Sequence, residues 1–544
     1  MNKKDKNWFH AAVGYQIYPK SFKDSNGDGI GDIQGIIEKL PYLKQLGVDF
    51  LWINPIYKSP QIDGGYDIAD YYAIDEMFGS LDDFRELLAH AHELGLKVLT
   101  DLVVNHTSDL HPWFVEARKS RDNKYRDYYL WADAMPDKLP NDWISFFGGS
   151  AWTYDARTEQ AYFHVFAKEQ PDLNWKNPEL RAEIYKMVRW WLELGLDGFR
   201  LDAISHIQKE PWDFKIKSWR GDGPWQPFMN VPGIEEYMHD LKAIFDEYGA
   251  LTVGEASGVL STQAPDWTDE NGYINMIFEL EQNARRRDGS GNVYKFKQAL
   301  IRWQKDQLLR GWNALYLENH DQPRVIDVFG DGSIASAKAL AVAYMLLRGT
   351  PFIYQGQEIG MTNFPFTDIS QLRTVENIKY YEQLLAKLSK TEALEEVVRN
   401  TRDHSRTPMQ WDLTANAGFT TDEPWMLVNP NFTEINVENS PEILNLYRQL
   451  IALRHDETAI SDGSVKFYFE RHLTAFVYER DEFLVLTNLG KTKAHLQFDE
   501  TLKNYEQVLG SKKRNFAHKM VLDAWEYQVF KVVTSSVGEK GTRV

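Results

Sequence analysis

The chain has 544 residues, which is too long for a single hydrophobic core and predicts two to four domains. Its net charge of −18 argues against nucleic acids and anionic membranes as partners, and the absence of cysteine excludes disulfides and thiol chemistry. A hydrophobic content of 43% suits a globular enzyme and not a disordered chain.

The opening residues hold no apolar run long enough for a signal peptide, and the longest apolar run, 339–347, is too short to cross a bilayer. We therefore expect a cytoplasmic protein without a membrane partner. We also expect it to act on a small molecule, as a monomer or a weak homo-oligomer.

Strand-like apolar runs alternate with amphipathic helical stretches such as 81–94 and 180–194. Eight strands with intervening helices predict the α/β fold of a (β/α)8 TIM barrel. A doubly wound open sheet is disfavoured because no glycine-rich phosphate loop follows the first strand. The predicted strands lie at 13–18, 50–54, 98–104, 198–202, 251–255, 276–280, 314–317 and 351–355.

Two connections between these strands are too long to be simple loops. One follows the third strand and is rich in Asp, Trp, Gly and Pro, and a loop-rich one at about 361–440 follows the eighth. An amphipathic helix at 441–455 then closes the barrel, and short alternating runs follow it. The predicted domains are a barrel over 1–106 and 175–456, an inserted domain B over 107–174, and a C-terminal antiparallel β-sandwich over 457–544.

Charged side chains stand at the ends of several predicted strands. Arg200 and Asp202 are two residues apart and so lie on one face of their strand, while Glu255 and Asp321 follow other strands. Because the C-terminal strand ends of a parallel barrel converge, the three carboxylates would meet in one cleft. Crowded carboxylates raise at least one pKa, as a general acid requires, and this fits hydrolysis of a glycosidic bond. A structural ion pair remains an alternative, and so does a metal site, which Arg200 disfavours because it would repel a cation.

Several motifs, in the expected order, resemble those of the α-amylase superfamily of glycoside hydrolases (family 13). Its four signature regions are matched by DLVVNH (101–106), GFRLDA (198–203), VGEA (253–256) and ENHD (318–321). The oligo-1,6-glucosidase and α-glucosidase branch is matched by GYDIADY (65–71), QPDLN (170–174) and RTPMQWD (406–412). The resemblance spans about residues 8 to 530. It implies a barrel with an inserted domain B and a C-terminal β-domain, in agreement with the pattern of strands and helices.

The resemblance implies a retaining double-displacement mechanism. Asp202 would be the nucleophile, Glu255 the general acid/base, and Asp321 a ligand of sugar hydroxyls that stabilises the transition state. Asp63 and Arg406 would pair across the floor of a blind pocket, so that cleavage is exo, one glucose at a time. The substrate-binding residues that it implies are Asp63, Tyr66, His106, Phe166, Gln170, Arg200, Ala203, His320 and Arg406.

The residue after the nucleophile, Ala203, bears on the linkage that is cleaved. In this branch a Val there goes with α-1,6 specificity and a smaller residue with α-1,4 specificity, so we expect preference for maltose and short α-1,4-gluco-oligosaccharides. The alternatives are an α-1,6-glucosidase, a sucrose isomerase or transglucosylase, and a trehalose-6-phosphate hydrolase, for which the three arginines at 285–287 would suit a phosphorylated sugar. A catalytically inactive relative is disfavoured because all three acids are present.

A glycine-rich stretch after the first strand places hard oxygen ligands at alternate positions, which suits Ca²⁺. It is not an EF-hand, since its twelfth position is Gly35. Mg²⁺ or a self-capped turn without metal remain alternatives, and no organic cofactor is expected. The resemblance implies a structural Ca²⁺ held by Asp24, Asn26, Asp28, the Ile30 carbonyl and Asp32.

Overall fold

The computed structural model describes residues 7–217, 223–281, 292–499 and 504–533. Eight parallel strands close into a barrel, each hydrogen-bonded to its neighbour in chain order and the last to the first. The predicted (β/α)8 barrel is therefore confirmed, and every predicted strand overlaps an observed one. The barrel strands are β1 (Gly14–Ile17), β2 (Phe50–Ile53), β5 (Lys97–Val103), β9 (Gly198–Asp202), β10 (Leu251–Gly254), β11 (Met276–Phe278), β12 (Asn313–Leu315) and β13 (Thr350–Tyr354).

Alternating side chains of these strands point inward and fill the barrel with large apolar groups, among them Trp52, Phe278 and Phe352. Strand β9 packs closely on β10, because a Cβ on Gly198 would lie 1.9 Å from the Leu251 carbonyl oxygen. Glycine at this position therefore allows the strand that carries Arg200 to take its place in the barrel.

Helices surround the barrel, and most begin with a side-chain cap that satisfies their first N–H groups. The capping box of Ser80 and Asp83 is one example. The main helices of this layer are α1 (Ile33–Leu46), α2 (Leu81–Glu93), α4 (Pro178–Glu193), α5 (Glu235–Tyr248), α7 (Val293–Asp306), α9 (Ile334–Met345) and α12 (Pro441–Asp456). Four shorter helices are α3 (Pro112–Ala117), α6 (Ala264–Thr268), α8 (Val325–Val328) and α13 (Thr458–Ser461).

Two segments interrupt the alternation. After β2 the chain forms a small hairpin of β3 (Tyr57–Lys58) and β4 (Asp70–Ile74), and after β5 it forms an antiparallel sheet of β6 (Trp131–Asp133), β8 (Gln160–Phe163) and β7 (Trp152–Asp155). This sheet has its own aromatic cluster, which includes Trp143 and Phe163. It lies within the segment predicted as domain B.

The insertion after β13, predicted as loop-rich, also contains helices that were not predicted. It contains two helices, α10 (Val375–Leu384) and α11 (Lys390–Asn400), between coil and short 3-10 turns. The sequence carried one signal for them, because Ser389 and Glu392 have the spacing of a capping box and form one.

Beyond α12 the chain forms two antiparallel sheets, one of five strands in the order β14-β15-β16-β20-β18 and one of β17 with β19. Apolar residues of both sheets, such as Val477 and Leu496, form a common core. The predicted antiparallel architecture is thus present at the C-terminus. The strands are β14 (Lys466–Tyr468), β15 (Ala475–Arg480), β16 (Phe483–Asn488), β17 (Ala494–Gln497), β18 (Tyr505–Gly510), β19 (Lys519–Leu522) and β20 (Tyr527–Val532).

The five-stranded sheet is tied to the barrel through buried cationic side chains that donate to backbone carbonyls. Arg480 donates to the carbonyls of Leu346 and Gly463, each at 2.8 Å, and Lys297 of α7 donates to that of Ala475 at 2.6 Å. None of the helices within the described ranges is long and apolar enough to cross a membrane.

Candidate active site

Arg200 is the centre of a buried cluster of carboxylates at the C-terminal end of the barrel. Its Nη1 lies 2.7 Å from Asp101 Oδ1 and also contacts Asp202, and its Nη2 lies 2.7 Å from Glu255 Oε2. Asp202 is two residues from Arg200 on β9, so both side chains share one face. The structure thus brings Asp202 and Glu255, the proposed nucleophile and acid/base, together on a single guanidinium.

The charges of this cluster are strongly coupled. Burial raises the pKa of Asp202 well above its ordinary value; Glu255 and Asp101 add to the rise and Arg200 opposes it. Burial also raises the pKa of Asp101 to about 6, and Arg200 again opposes the rise. A nucleophilic carboxylate must be ionised, and Arg200 is the contact that favours the ionised form of Asp202.

The residue after Asp202 has an unusual backbone conformation. Ala203 is in the left-handed region, at φ 44° and ψ 32°, which costs a non-glycine residue roughly 1 kcal/mol or more. Its N–H donates to Glu255 Oε2 at 3.2 Å. The strained turn therefore helps to hold Glu255 beside Asp202.

Asp321 anchors a second charged cluster. Its Oδ1 lies 2.9 Å from Arg402 Nη1 and 3.0 Å from Arg406 Nη2. Burial alone would raise the pKa of Asp321, but His320, Arg402 and Arg406 together hold it far below the usual range. Asp321 is therefore an ionised acceptor for hydroxyl groups.

The ion pair predicted between Asp63 and Arg406 is formed by a different arginine. Arg402 Nη2 lies 3.1 Å from Asp63 Oδ1, whereas Arg406 donates from Nε to the His320 carbonyl at 3.0 Å. Arg402 begins a short 3-10 turn and Arg406 follows its end. Both contact Asp321, and Arg402 also contacts Asp63. The prediction of Arg406 as the partner of Asp63 is therefore wrong.

Two stacked rings lie between the clusters. Tyr66 and His320 are 5.4 Å apart and nearly parallel, at 9°. Gln16 approaches His320 Nδ1 at 2.8 Å, and Nε2 lies 3.1 Å from Asp321 Oδ2. Burial lowers the pKa of His320 to about 3, so the ring is neutral and suited to hydrogen bonding. Binding of substrate by Tyr66 stays a prediction, since the ring here stacks on His320.

The segment predicted as domain B supplies the opposite wall. Gln170 Nε2 donates to Asp63 Oδ2 at 3.1 Å and lies 3.1 Å from His106 Nε2. Phe166 packs against the edge of His106, with 5.3 Å between ring centres. Burial lowers the pKa of His106 to about 4. Gln170 thus connects Asp63 to His106, and His106 in turn contacts Phe166.

A buried lysine fixes this wall to the barrel. Lys209 Nζ lies 2.7 Å from Asp172 Oδ2 and donates to Asn105 Oδ1 at 2.9 Å. Burial lowers the pKa of Lys209, and Asp172 opposes that change. Because Asn105 precedes His106 and Asp172 follows Gln170, the contact sets the distance between the strand end and the wall.

Three residues of the site were missed or given no role by sequence reasoning. Asp101 holds Arg200, Arg402 bridges Asp63 and Asp321, and Glu376 of α10 contacts Arg402. Asp101 opens the DLVVNH motif, and the spacing of Arg402 and Arg406 is close to a helical turn, so signals for these two existed. No pattern in the sequence around Glu376 indicates that it belongs to the site.

The predicted metal-binding loop is extensively hydrogen-bonded within itself. Asp24 accepts N–H groups of Asn26, Gly27 and Gly29, and Asp28 accepts that of Ile30. Burial would raise the pKa of Asp24, but the Thr420 hydroxyl and the loop N–H groups together hold it below its usual value. An ionised carboxylate is a ligand that Ca²⁺ prefers, although the oxygens of Asp24 here accept N–H and hydroxyl groups. Within the described ranges no three Asp, Glu, His or Cys side chains converge as a metal site, so Asp24, Asp28 and Asp32 do not come together in this structure.

The arginines at 285–287, which would suit a phosphorylated sugar, lie outside the described residues. Trp225 stacks on Phe146 at 4.7 Å, and Trp212 packs on Trp152 at 4.8 Å. Both tryptophans therefore pack against the aromatic cluster of the small sheet.

Comparison with known proteins gives one consistent result. The family described as "Alpha amylase, catalytic domain" matches residues 16–463. An oligo-1,6-glucosidase of Bacillus cereus is 43% identical over 530 residues, covering 93% of this chain and 94% of that protein. An alpha-glucosidase of Pediococcus pentosaceus is 42% identical over 487 residues, covering 84% and 86%.

Solved structures are similar over nearly the whole chain. A trehalose-6-phosphate hydrolase of Bacillus licheniformis superposes with a TM-score of 0.91 at 38% identity, covering 97% of this chain and 100% of that chain. An isomaltulose synthase of Erwinia rhapontici NX5, solved with sucrose, superposes with a TM-score of 0.92 at 37% identity, covering 97% and 99%.

Proposed function

The chain belongs to the α-amylase family of glycoside hydrolases, and from that membership we propose that it is a retaining, exo-acting α-glucosidase of maltose and short α-1,4-gluco-oligosaccharides. The observation that carries the proposal is the shared contact of Asp202 and Glu255 with Arg200. Two carboxyls beside one reaction centre are what double displacement requires.

In the first step an oxygen of Asp202 attacks the anomeric carbon while the glycosidic bond breaks. The leaving oxygen takes the proton of Glu255, and glucose remains bound to Asp202 as an ester. In the second step the Glu255 carboxylate removes a proton from water, the resulting hydroxide attacks the same carbon, and Asp202 leaves. Two inversions give α-glucose.

The second cluster would bind the terminal glucose. Asp321 and Asp63 accept hydrogen bonds, and the Arg402 bridge between them would close the far end of the pocket. Because a chain could then enter only by its non-reducing end, glucose would leave one unit at a time.

The preference for α-1,4 linkages rests on Ala203, whose methyl group leaves more room beside the cleavage point than a β-branched side chain. The names of similar oligo-1,6-glucosidases favour a second candidate, an α-1,6-glucosidase. Initial rates on maltose and isomaltose at equal concentration decide between them. A maltose-to-isomaltose ratio below one would favour the second candidate.

Two other activities come from the structural neighbours, which include an isomaltulose synthase and a trehalose-6-phosphate hydrolase. Product analysis on sucrose and on trehalose 6-phosphate tests both. We expect hydrolysis of maltose to be faster than either reaction, and isomaltulose as the main product from sucrose would replace our proposal.

The central test is Asp202→Asn with p-nitrophenyl α-glucoside as substrate. We expect loss of at least about 10³-fold in kcat, because the ester can no longer form. Nuclear magnetic resonance of the wild-type reaction should show α-glucose as the first product. Release of β-glucose first, or near-normal activity of the variant, would contradict the mechanism.

We propose in addition that the loop of Asp24 to Asp32 binds a structural Ca²⁺, held by Asp24, Asn26, Asp28, the Ile30 carbonyl and Asp32. Chelation should lower the thermal midpoint, and Ca²⁺ should restore it. Asp28→Ala should abolish that response and leave kcat unchanged. A thermal midpoint that does not respond to exhaustive chelation would show that the loop is stable without a metal.

A further inference from the structure

The first turn of helix α10 is built onto the segment that carries Arg402. Asp403 accepts the backbone N–H of Thr374 at 3.1 Å and its hydroxyl at 2.5 Å. Asn377 donates to the Thr401 hydroxyl at 2.5 Å. The start of α10 therefore has a fixed position relative to Arg402, although 28 residues of chain separate Thr374 from Arg402.

From this turn Glu376 reaches into the active site. Its carboxylate contacts Arg402 Nη2, the same nitrogen that lies 3.1 Å from Asp63 Oδ1, while Nη1 lies 2.9 Å from Asp321 Oδ1. The side chains of Glu376 and Arg402 are only 29% and 13% exposed. A contact this sheltered is weakened less by water than an ion pair on the surface.

The remaining surroundings of Arg402 leave its orientation to these three acids. The Phe147 ring covers the guanidinium at 5.5 Å, which attracts the cation without fixing its rotation. The buried Nε has no hydrogen-bond partner within the described ranges. Asp63 and Asp321 are the acids that would accept sugar hydroxyls, so Glu376 is the anchor that stays in place when substrate binds.

We propose that Glu376 is a positioning residue for the terminal glucosyl unit, because it holds the Arg402 guanidinium in the bridge between Asp63 and Asp321. The inference rests on the proposed α-glucosidase function. A bridge fixed before the sugar arrives lowers the cost of ordering the pocket on binding. Glu376 therefore acts on affinity for the substrate, and chemistry at Asp202 should be little affected.

The charge of Glu376 has a second consequence. Burial raises the pKa of Asp63 to about 7; Arg402 and Arg406 oppose the rise, and Glu376 and Asp321 add to it. Gln170, the contact from the opposite wall, is neutral. Replacing Glu376 by glutamine therefore lowers the pKa of Asp63 and should move the acidic limb of the kcat/KM profile to lower pH.

The experiment compares Glu376→Gln, Glu376→Ala and the control Glu382→Gln, which removes an exposed charge from the same helix. We expect KM for maltose, and Ki for glucose, to rise about tenfold in the alanine variant and less in the glutamine variant, with kcat within about twofold. The control should match the wild type in all of these and in its pH profile.

The outcomes separate the inference from the proposed function. If the wild type hydrolyses no α-glucoside, the function is wrong. If it does, and both Glu376 variants match the control, or lose kcat at constant KM, the inference is wrong. The isosteric glutamine variant carries the test if the alanine variant does not fold.

Discussion

Ala203 combines an unusual backbone conformation with the proposed influence on linkage preference. Its φ of 44° is one that glycine adopts freely and that β-branched residues strongly disfavour. The same residue gives its N–H to Glu255. Two factors therefore limit which side chain fits at this position: the strain of the backbone, and the proposed need for space beside the scissile bond.

We expect Ala203→Val to lower the ratio of maltose to isomaltose activity and to reduce stability by about 1–2 kcal/mol. Rates on the two sugars and a urea denaturation curve measure both effects. Ala203→Gly is the matched control and should keep the ratio while relieving the strain. A valine variant with an unchanged ratio would remove the basis for α-1,4 preference.

At the residue scale, the sequence predicted contacts between side chains that are close together in one regular secondary-structure element. Arg200 and Asp202 could be paired because a strand puts residues i and i+2 on one face. The partner of Asp63 could not be found in the same way, since Arg402 lies 339 residues away on an insertion whose path depends on tertiary packing. The RTPMQWD motif indicated the correct segment of the chain, but only the structure showed that Arg402 is the residue that pairs with Asp63.

Among the elements, helix α3 begins at a histidine that burial keeps neutral. His111 Nδ1 accepts the N–H of Trp113 at 3.2 Å, and burial lowers the pKa of His111 from 6.5 to about 3. Between these values the unfolded chain binds a proton that the folded protein does not. Stability contributed at this position therefore falls as pH is lowered from 6.5 towards 3.

Replacing His111 by asparagine keeps a capping oxygen and removes the titration. Denaturation curves of wild type and variant at pH 6.5, 5.5 and 4.5 should differ in slope, with the wild type losing about 1.4 kcal/mol more per pH unit. Parallel losses in the two proteins would mean that His111 is protonated in the folded state.

The barrel strands could be predicted from the hydrophobic pattern, because a buried parallel strand is a short apolar run between turns. Helices α10 and α11 were not predicted. Their residues are mostly exposed, so they carry little of the apolar stripe on which such reading depends. Hydrophobic periodicity therefore gave little indication of helix α10, which supplies Glu376.

At the scale of the whole molecule, the barrel and the C-terminal sheet are joined by hydrogen bonds from buried arginines. Arg480 donates to the carbonyls of Leu346, Gly463 and Ser464 at 2.8 to 2.9 Å. Arg454 of α12 donates to the Met345 carbonyl at 2.9 Å. The end of α9 is thus capped by side chains from two later parts of the chain.

Arg480→Met should destabilise the protein by at least about 3 kcal/mol, because it leaves buried carbonyls without donors. The urea midpoint measures this, with the exposed Lys513→Met as control. A midpoint equal to that of the control would show that the C-terminal sheet is held by apolar contacts alone. The sequence predicted this sheet but not its attachment, since a donor and a carbonyl 134 residues apart leave no local pattern.

Acidic side chains outnumber arginines around Arg200 and Arg402. Six acids face three arginines across the two clusters: Asp63, Asp101, Asp202, Glu255, Asp321 and Glu376 against Arg200, Arg402 and Arg406. A site with this surplus of acids should attract small organic cations as well as neutral sugars. Protonated amines that carry hydroxyl groups, including common buffer bases, should therefore compete with maltose, and their inhibition should weaken as alkaline pH removes the proton from the amine.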